Sequence, residues 1–252
     1  MENITIEHRT MEHRTMRKIL CLIPARSGSK GIPHKNIKDF KGKPLIAHSI
    51  YQAQQSKYFK QMRIIVSTDS REYADIANKW GAETPFLRPK EISGDMSVDY
   101  EFIKHALDWL KNNEDYIPDI ILQLRPTYPT REVELLNNCI RQFLDNYDNY
   151  DSLRTVVITP KTAYKMYRIK GNELIPLFRE VDGVKEPYNR CRQDLPVTYL
   201  HNGCIDIFKT NIVSRGTISG DKILPYVMAQ NEINDIDSME DWKNAEKCSK
   251  IY

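Results

Sequence analysis

Apolar positions along the chain alternate between two spacings. Residues 19–24, ILCLIP, form a continuous apolar run, the mark of a strand buried on both faces. KPLIAHSIYQAQQ, from Lys43, spaces its apolar residues as a helix does, and MRIIVSTD at 62–69 is a second buried strand. That strand runs into SREYADIANKWGAE, a helix with Asp69 or Ser70 as N-cap and Gly81 as its stop. SVDYEFIKHALDWLKNN predicts another helix, and PDIILQL at 118–124 predicts a strand ended by the turn RPTYPT. A helix from Arg131 to about Asp145 and the strand LRTVVITP follow. Strands alternating with amphipathic helices define an α/β fold with a mostly parallel central sheet.

After residue 160 the rhythm changes. YKMYRIKGNELIPLF predicts a hairpin turning at Gly171-Asn172, and NGCIDIFK and KILPYVM predict further strands. SMEDWKNAEKC predicts a closing helix, with Ser238 and Asp241 at capping-box spacing. No linker separates two cores, so residues 17–252 are expected to form one domain, with 161–200 as an arm. Residues 1–16 carry the duplication EHRTM at 7–11 and 12–16 without any core-facing pattern, and are expected to be a disordered leader.

Composition narrows the classes of function. A net charge of +3, with no basic stripe interleaved with aromatics, argues against nucleic acid as a partner. No apolar stretch is long enough to span a bilayer, and the first residues lack the apolar core of a signal peptide. Cys21, Cys139, Cys191, Cys204 and Cys248 are scattered, odd in number and without CxxC spacing, which predicts reduced thiols in a cytoplasmic protein.

The densest chemistry lies behind the first strand. IPARSGSKGIPHKN, at 23–36, sets Arg26, Lys30 and Lys35 among two glycines and two serines and ends in Asn36. In an open parallel sheet, ligands bind beyond the carboxyl ends of the strands. Glycines let backbone N–H groups cradle phosphate oxygens, and fixed cations match a polyphosphate. The loop has neither GxxxxGK[ST] nor GxGxxG.

IPARSGSKGIPHKNI…GKPLI resembles the opening signature of the CMP-sugar synthases, the acylneuraminate cytidylyltransferases and their relatives. The likeness continues through IIVSTDS, GAETPFLRPKEISGD, LRPTYPTR, CRQDLP, HNG and DIDSMEDW, and so covers nearly all of the chain after residue 17. It implies a Rossmann-like sheet, mostly parallel or mixed, flanked by helices and carrying a dimerisation arm. It implies a homodimer and a Mg²⁺-dependent reaction joining CTP to a 2-keto sugar acid of the nonulosonic type, with release of pyrophosphate. Arg26, Ser29, Lys30, Lys35 and Asn36 would hold the nucleotide, and Arg26 and Lys30 would stabilise the splitting triphosphate. Arg88, in FLRP, would lie near the cytosine.

Asp235 and Asp237, in NDIDSMEDW, stand two apart, so on extended backbone they point to one side. Two hard carboxylates suit Mg²⁺ together with water and phosphate oxygens. By resemblance both bind the metal, with Asp237 also placed to orient or deprotonate the sugar hydroxyl. Lys165, Arg192, Gln193 and Asn202 match positions that face the sugar acid.

Three positions depart from the sialic-acid pattern. Arg125 replaces a glutamine, Asp206 a tyrosine and Asp99 a serine, all on the substrate side. With the nucleotide loop and the aspartate pair intact, an altered acceptor preference is expected, since unmatched buried charge is costly. Alternatives are transfer to another acid such as Kdo or a phosphonate, or a non-catalytic nucleotide-binding module.

Overall fold

The computed structural model describes residues 16–229 and 235–248, so the expectation for the leader lies outside the described residues. Twelve strands follow in chain order. They are β1 (Ile19–Pro24), β2 (Asp39–Phe40), β3 (Lys43–Pro44), β4 (Met62–Ser67), β5 (Ile120–Gln123) and β6 (Ser152–Ile158), then β7 (Tyr167–Lys170), β8 (Glu173–Pro176), β9 (Glu180–Val181), β10 (Val184–Lys185), β11 (Tyr199–Lys209) and β12 (Ile223–Met228). Five α-helices accompany them: α1 (Leu45–Gln54), α2 (Arg71–Lys79), α3 (Asp99–Glu114), α4 (Val133–Asp145) and α5 (Met239–Cys248).

Six strands form the central sheet in the order β12-β6-β11-β5-β1-β4. β1 runs parallel to β4 and β5, and β12 parallel to β6, whereas β11 lies antiparallel between β5 and β6. The sheet is therefore mixed. Its opening half is the parallel one, and the loops leaving β1, β4 and β5 share one edge.

The apolar runs pack two layers. Ile19, Cys21 and Ile23 face one cluster with α1 and α4, while Leu20 and Leu22 face the other with Phe102, Ile103 and Ala106 of α3. This alternation explains why a fully apolar strand was needed at β1. Local chemistry sets the ends of the helices. Ser70 caps α2 by accepting from Tyr73 N at 3.4 Å, and Gly81 follows that helix at φ +87°. At α5, Asp241 accepts from Ser238 N at 2.7 Å while Ser238 Oγ accepts from Asp241 N at 3.2 Å, the reciprocal capping box.

β7 and β8 pair antiparallel around Gly171-Asn172, with the smaller β9–β10 pair beside them. The side chains of β7 are all exposed and those of β8 at most half-buried, so this hairpin contributes no buried core residue.

Candidate active site

A cavity of about 440 Å³ opens beyond the ends of the parallel strands. The loop after β1, the Arg88–Asp99 connection into α3, the turn after β5 and Asp237 line it. Arg26, Ser29, Lys30, Lys35, Asn36, Arg88, Asp99, Arg125 and Asp237, all expected from sequence, are brought together there.

The β1 loop is held from both ends. Asp69, at the end of β4, accepts from Ser27 N and Ser27 Oγ, each at 2.8 Å. Asn36, only 6% exposed, donates Nδ2 to the Arg26 carbonyl at 3.0 Å. Further along, Ile32 is buried with Phe40, Leu45, Ile236, Trp242 and Ala245. This small apolar cluster fastens the loop to the aspartate segment: burying Ile236 leaves Asp235 and Asp237 on the opposite side of the backbone. Lys35 Nζ completes the join, donating to the Ile236 carbonyl at 2.8 Å and to Asp237 Oδ1 at 3.1 Å. The approach is so close that a Cβ on Gly31 would stand 2.5 Å from the Asp237 carbonyl oxygen.

Asp235 and Asp237 differ in setting. Asp237 is largely exposed, whereas Asp235 is partly buried with Oδ1 lacking a hydrogen-bond partner. Burial raises the Asp235 pKa, and the Asp237 charge adds to the rise. An orphaned carboxylate oxygen beside a second carboxylate suits a hard divalent cation that takes its other ligands from phosphate and water. The residues present thus fit Mg²⁺. Among the described residues no cluster of three His, Cys, Asp or Glu side chains could hold a metal without substrate.

Arg26 and Lys30 converge on a carboxylate that no spacing in the sequence marks out. Arg26 Nη1 donates to Asp95 Oδ1 at 2.8 Å and Lys30 Nζ to Asp95 Oδ2 at 2.5 Å. The two cations hold the Asp95 pKa below the usual carboxylate value. Arg88 is 5% exposed, stacks 4.6 Å above the Phe102 ring and donates Nη2 to the Ser67 carbonyl at 2.7 Å. Burial pushes its pKa down to about 10, which leaves it cationic at neutral pH.

A charge network surrounds Arg125. Arg125 donates Nη2 to Asp99 Oδ2 at 2.6 Å, and Nη1 to Asp206 Oδ2 at 2.7 Å and to the Gly203 carbonyl at 2.8 Å. Asp206 has no exposed surface, and it also accepts from Arg154 Nη1 and His201 Nε2, both at 2.8 Å. Asp206, expected from sequence on the substrate side, does not line the cavity; its carboxylate anchors Arg125. The signal was present in CIDIF, because an acid inside an apolar strand requires buried cations. Asp99 and Arg125 are the members at the cavity wall, and Asp99, one-third exposed, is steadied by Gln123 Nε2 at 2.8 Å.

Asn202 does not line the cavity. Its Oδ1 accepts from Thr155 Oγ1 at 2.7 Å and Cys204 N at 3.1 Å, fixing the irregular stretch of β11 between His201 and Asp206. Lys165, Arg192 and Gln193 are exposed on the arm and do not line the cavity of their own chain. Arg131, passed over in the sequence, is 4% exposed and pins the turn after β5 by donating to the carbonyls of Arg125 and Cys204, both at 3.0 Å.

A mixed α/β sheet with a cationic glycine loop joined to an aspartate segment at the edge of a nucleotide-sized cavity has the build of a nucleotidyltransferase. The comparisons narrow the class. The cytidylyltransferase family model matches residues 20–174, and the chain belongs to that family. The pseudaminic acid cytidylyltransferase of Campylobacter jejuni is 32% identical over 93% of this chain and 97% of its own. The CMP-N,N'-diacetyllegionaminic acid synthase of Legionella pneumophila is also 32% identical, with the same coverage. The N-acylneuraminate cytidylyltransferase of Escherichia coli is 31% identical over 90% of this chain and 51% of its own. Among solved structures, a CMP:2-keto-3-deoxy-manno-octonic acid synthetase complexed with CTP shares the fold, with a TM-score of 0.63 at 14% identity over 91% of this chain and 97% of its own.

Proposed function

We propose that this enzyme transfers CMP from CTP to the anomeric hydroxyl of a nonulosonic acid, releasing pyrophosphate. The observation that carries the reading is the convergence of Arg26, Lys30 and Lys35 with Asp237 in one cavity. The acceptor oxygen forms a bond to the α-phosphorus of CTP as the bond to the pyrophosphate oxygen breaks. Negative charge grows on the leaving group, and Arg26 and Lys30 lie where they would meet it. Ser29 and Asn36 shape the nucleotide end, and Arg88 offers a fixed donor for the pyrimidine. Asp237 orients the acceptor hydroxyl and takes its proton. Mg²⁺, held by Asp235 and Asp237, would neutralise triphosphate charge when bound.

The acceptor side favours a diamino or deoxy nonulosonate over N-acetylneuraminic acid. Asp99 presents an anchored carboxylate to the cavity, where a hydroxyl or amide donor on the sugar can meet it. The names of the Campylobacter and Legionella relatives specify acids of this kind.

The arm completes the site in a homodimer. Ile169, Leu174 and Val197 are each at least 61% exposed, an apolar surface that a second copy would cover, bringing Lys165, Arg192 and Gln193 to the neighbouring cavity. We place the enzyme in the cytoplasm, where CTP is available; no helix among the described residues is long and apolar enough to cross a membrane.

Mass spectrometry of products formed from CTP, Mg²⁺ and a panel of 2-keto sugar acids, Kdo and phosphonates tests the reading. A CMP adduct of a nonulosonic acid is expected. Preference for Kdo or a phosphonate would reassign the acceptor, and binding of CTP without any adduct would refute catalysis.

A further inference from the structure

The β1 loop and the connection into α3 meet through Asp95. Both oxygens of this carboxylate are engaged, Oδ1 by Arg26 Nη1 at 2.8 Å and Oδ2 by Lys30 Nζ at 2.5 Å. These are the two cations that face the polyphosphate in the reading above. The segment bearing Asp95 is braced by its own hydrogen bonds. Ser93 Oγ donates to the Pro89 carbonyl at 2.8 Å, and Gly94 N donates to Ser97 Oγ at 3.1 Å. Asp95 is thus presented from the cavity wall by a short structured loop, not by a trailing side chain.

We propose that Asp95 is a built-in counterion that occupies the pyrophosphate subsite when no nucleotide is present and re-enters it as pyrophosphate leaves. The proposal rests on the cytidylyl-transfer reading and concerns how tightly that site holds its leaving product.

A carboxylate bridging two cations takes the place of two phosphate oxygens. Any polyphosphate that uses Arg26 and Lys30 must first displace it, and its affinity is lowered by the strength of the pairs broken. CTP has the base, the ribose and a third phosphate to offset that loss. Free pyrophosphate has none of these beyond its own oxygens. The internal anion therefore speeds departure of the product while CTP still binds. The pairs are partly exposed, with Asp95 37% and Lys30 79% accessible, so the effect is modest: about three- to tenfold in affinity.

Calorimetric titration of inorganic pyrophosphate into the full chain tests this, using wild type, Asp95→Asn and Asp95→Glu. Asp95→Asn should bind pyrophosphate about three- to tenfold more tightly, with the gain shrinking at about 0.5 M salt. Pyrophosphate should inhibit its forward reaction more strongly in the same proportion. Asp95→Glu, which keeps the charge, should stay within about twofold of wild type. Unchanged or weaker pyrophosphate binding by Asp95→Asn overturns the proposal, as does a tightening by Asp95→Glu equal to that of the amide. If wild type binds CTP normally in these cases, cytidylyl transfer stands. Failure of wild type to bind CTP would remove both.

Discussion

Replacing Asp206 by Asn tests the charge network beneath the acceptor side. The carboxylate has no exposed surface and accepts from Arg125, Arg154 and His201 at 2.7–2.8 Å. Breaking a buried pair by removing one partner costs about 3–5 kcal/mol. Here the loss is smaller. Arg125 keeps Asp99 and the Gly203 carbonyl, Arg154 keeps the Ile218 carbonyl and Ser219 Oγ, and Asn still accepts one hydrogen bond. About 2–3 kcal/mol is expected, a fall in Tm of about 4–12 °C for a domain of this size. The pH dependence has a definite sign. The cations around Asp206 hold its folded pKa well below its unfolded value of about 3.9. Its stabilisation is therefore complete above about pH 4–5 and is lost as pH falls towards the folded pKa, by up to about 1.4 kcal/mol per unit. Urea denaturation of both proteins at pH 7, 5 and 3 reads this directly. The gap should be widest at pH 7 and 5 and narrow by about 1 kcal/mol at pH 3. A variant within about 0.5 kcal/mol of wild type at pH 7, or a gap constant down to pH 3, would refute the account of the network.

Other expectations follow from single contacts. Gly31→Ala places a Cβ 2.5 Å from the Asp237 carbonyl, so the loop and the aspartate segment must separate; kcat should fall at least about tenfold, and Tm should fall as well because the Ile32–Ile236 cluster is strained. Asp237→Asn should abolish turnover while the fold, followed by circular dichroism, is kept, because that side chain is 77% exposed; excess chelator should stop wild type as well. Arg125→Gln should alter relative kcat/KM among sugar acids and leave CTP affinity within about twofold, with a lower Tm because Asp206 loses a cation. Ile169→Ser combined with Leu174→Ser should weaken the dimer measured by light scattering, whereas wild type running as a monomer with full activity would end the role given to the arm.

Much of the fold was legible because burial imposes periodicity. β1 matches ILCLIP, α2 begins at the expected Ser70 cap and ends just before Gly81, and α3 lies within two residues of its expected stretch. The mostly parallel or mixed sheet that the resemblance implied is the mixed one that stands, but the antiparallel placement of β11 was not legible from periodicity, because pairing partners far apart in sequence leave no local mark. The same divide runs through the site. The β1 loop announced itself by concentrating cations and glycines in one stretch. Asp95 did not, since SGDMS reads as an ordinary polar turn and its meaning comes from Arg26, 69 residues away. The ion pairs of Asp206 were half legible: an acid within CIDIF demands buried partners, but only the fold shows that Arg125 and Arg154 supply them.

The hydrogen bonds from Lys35 to Ile236 and Asp237 join segments about 200 residues apart. On the ribosome, at roughly 5–20 residues per second, the cationic loop is made some 10–40 seconds before the aspartates that face it. During that interval a nascent chain carries the cationic loop together with Asp95 and Asp99, but without the Asp235–Asp237 segment. Synthesis itself therefore delays the onset of activity, and a truncated translation product lacking the aspartate segment could retain an affinity for phosphates without consuming CTP.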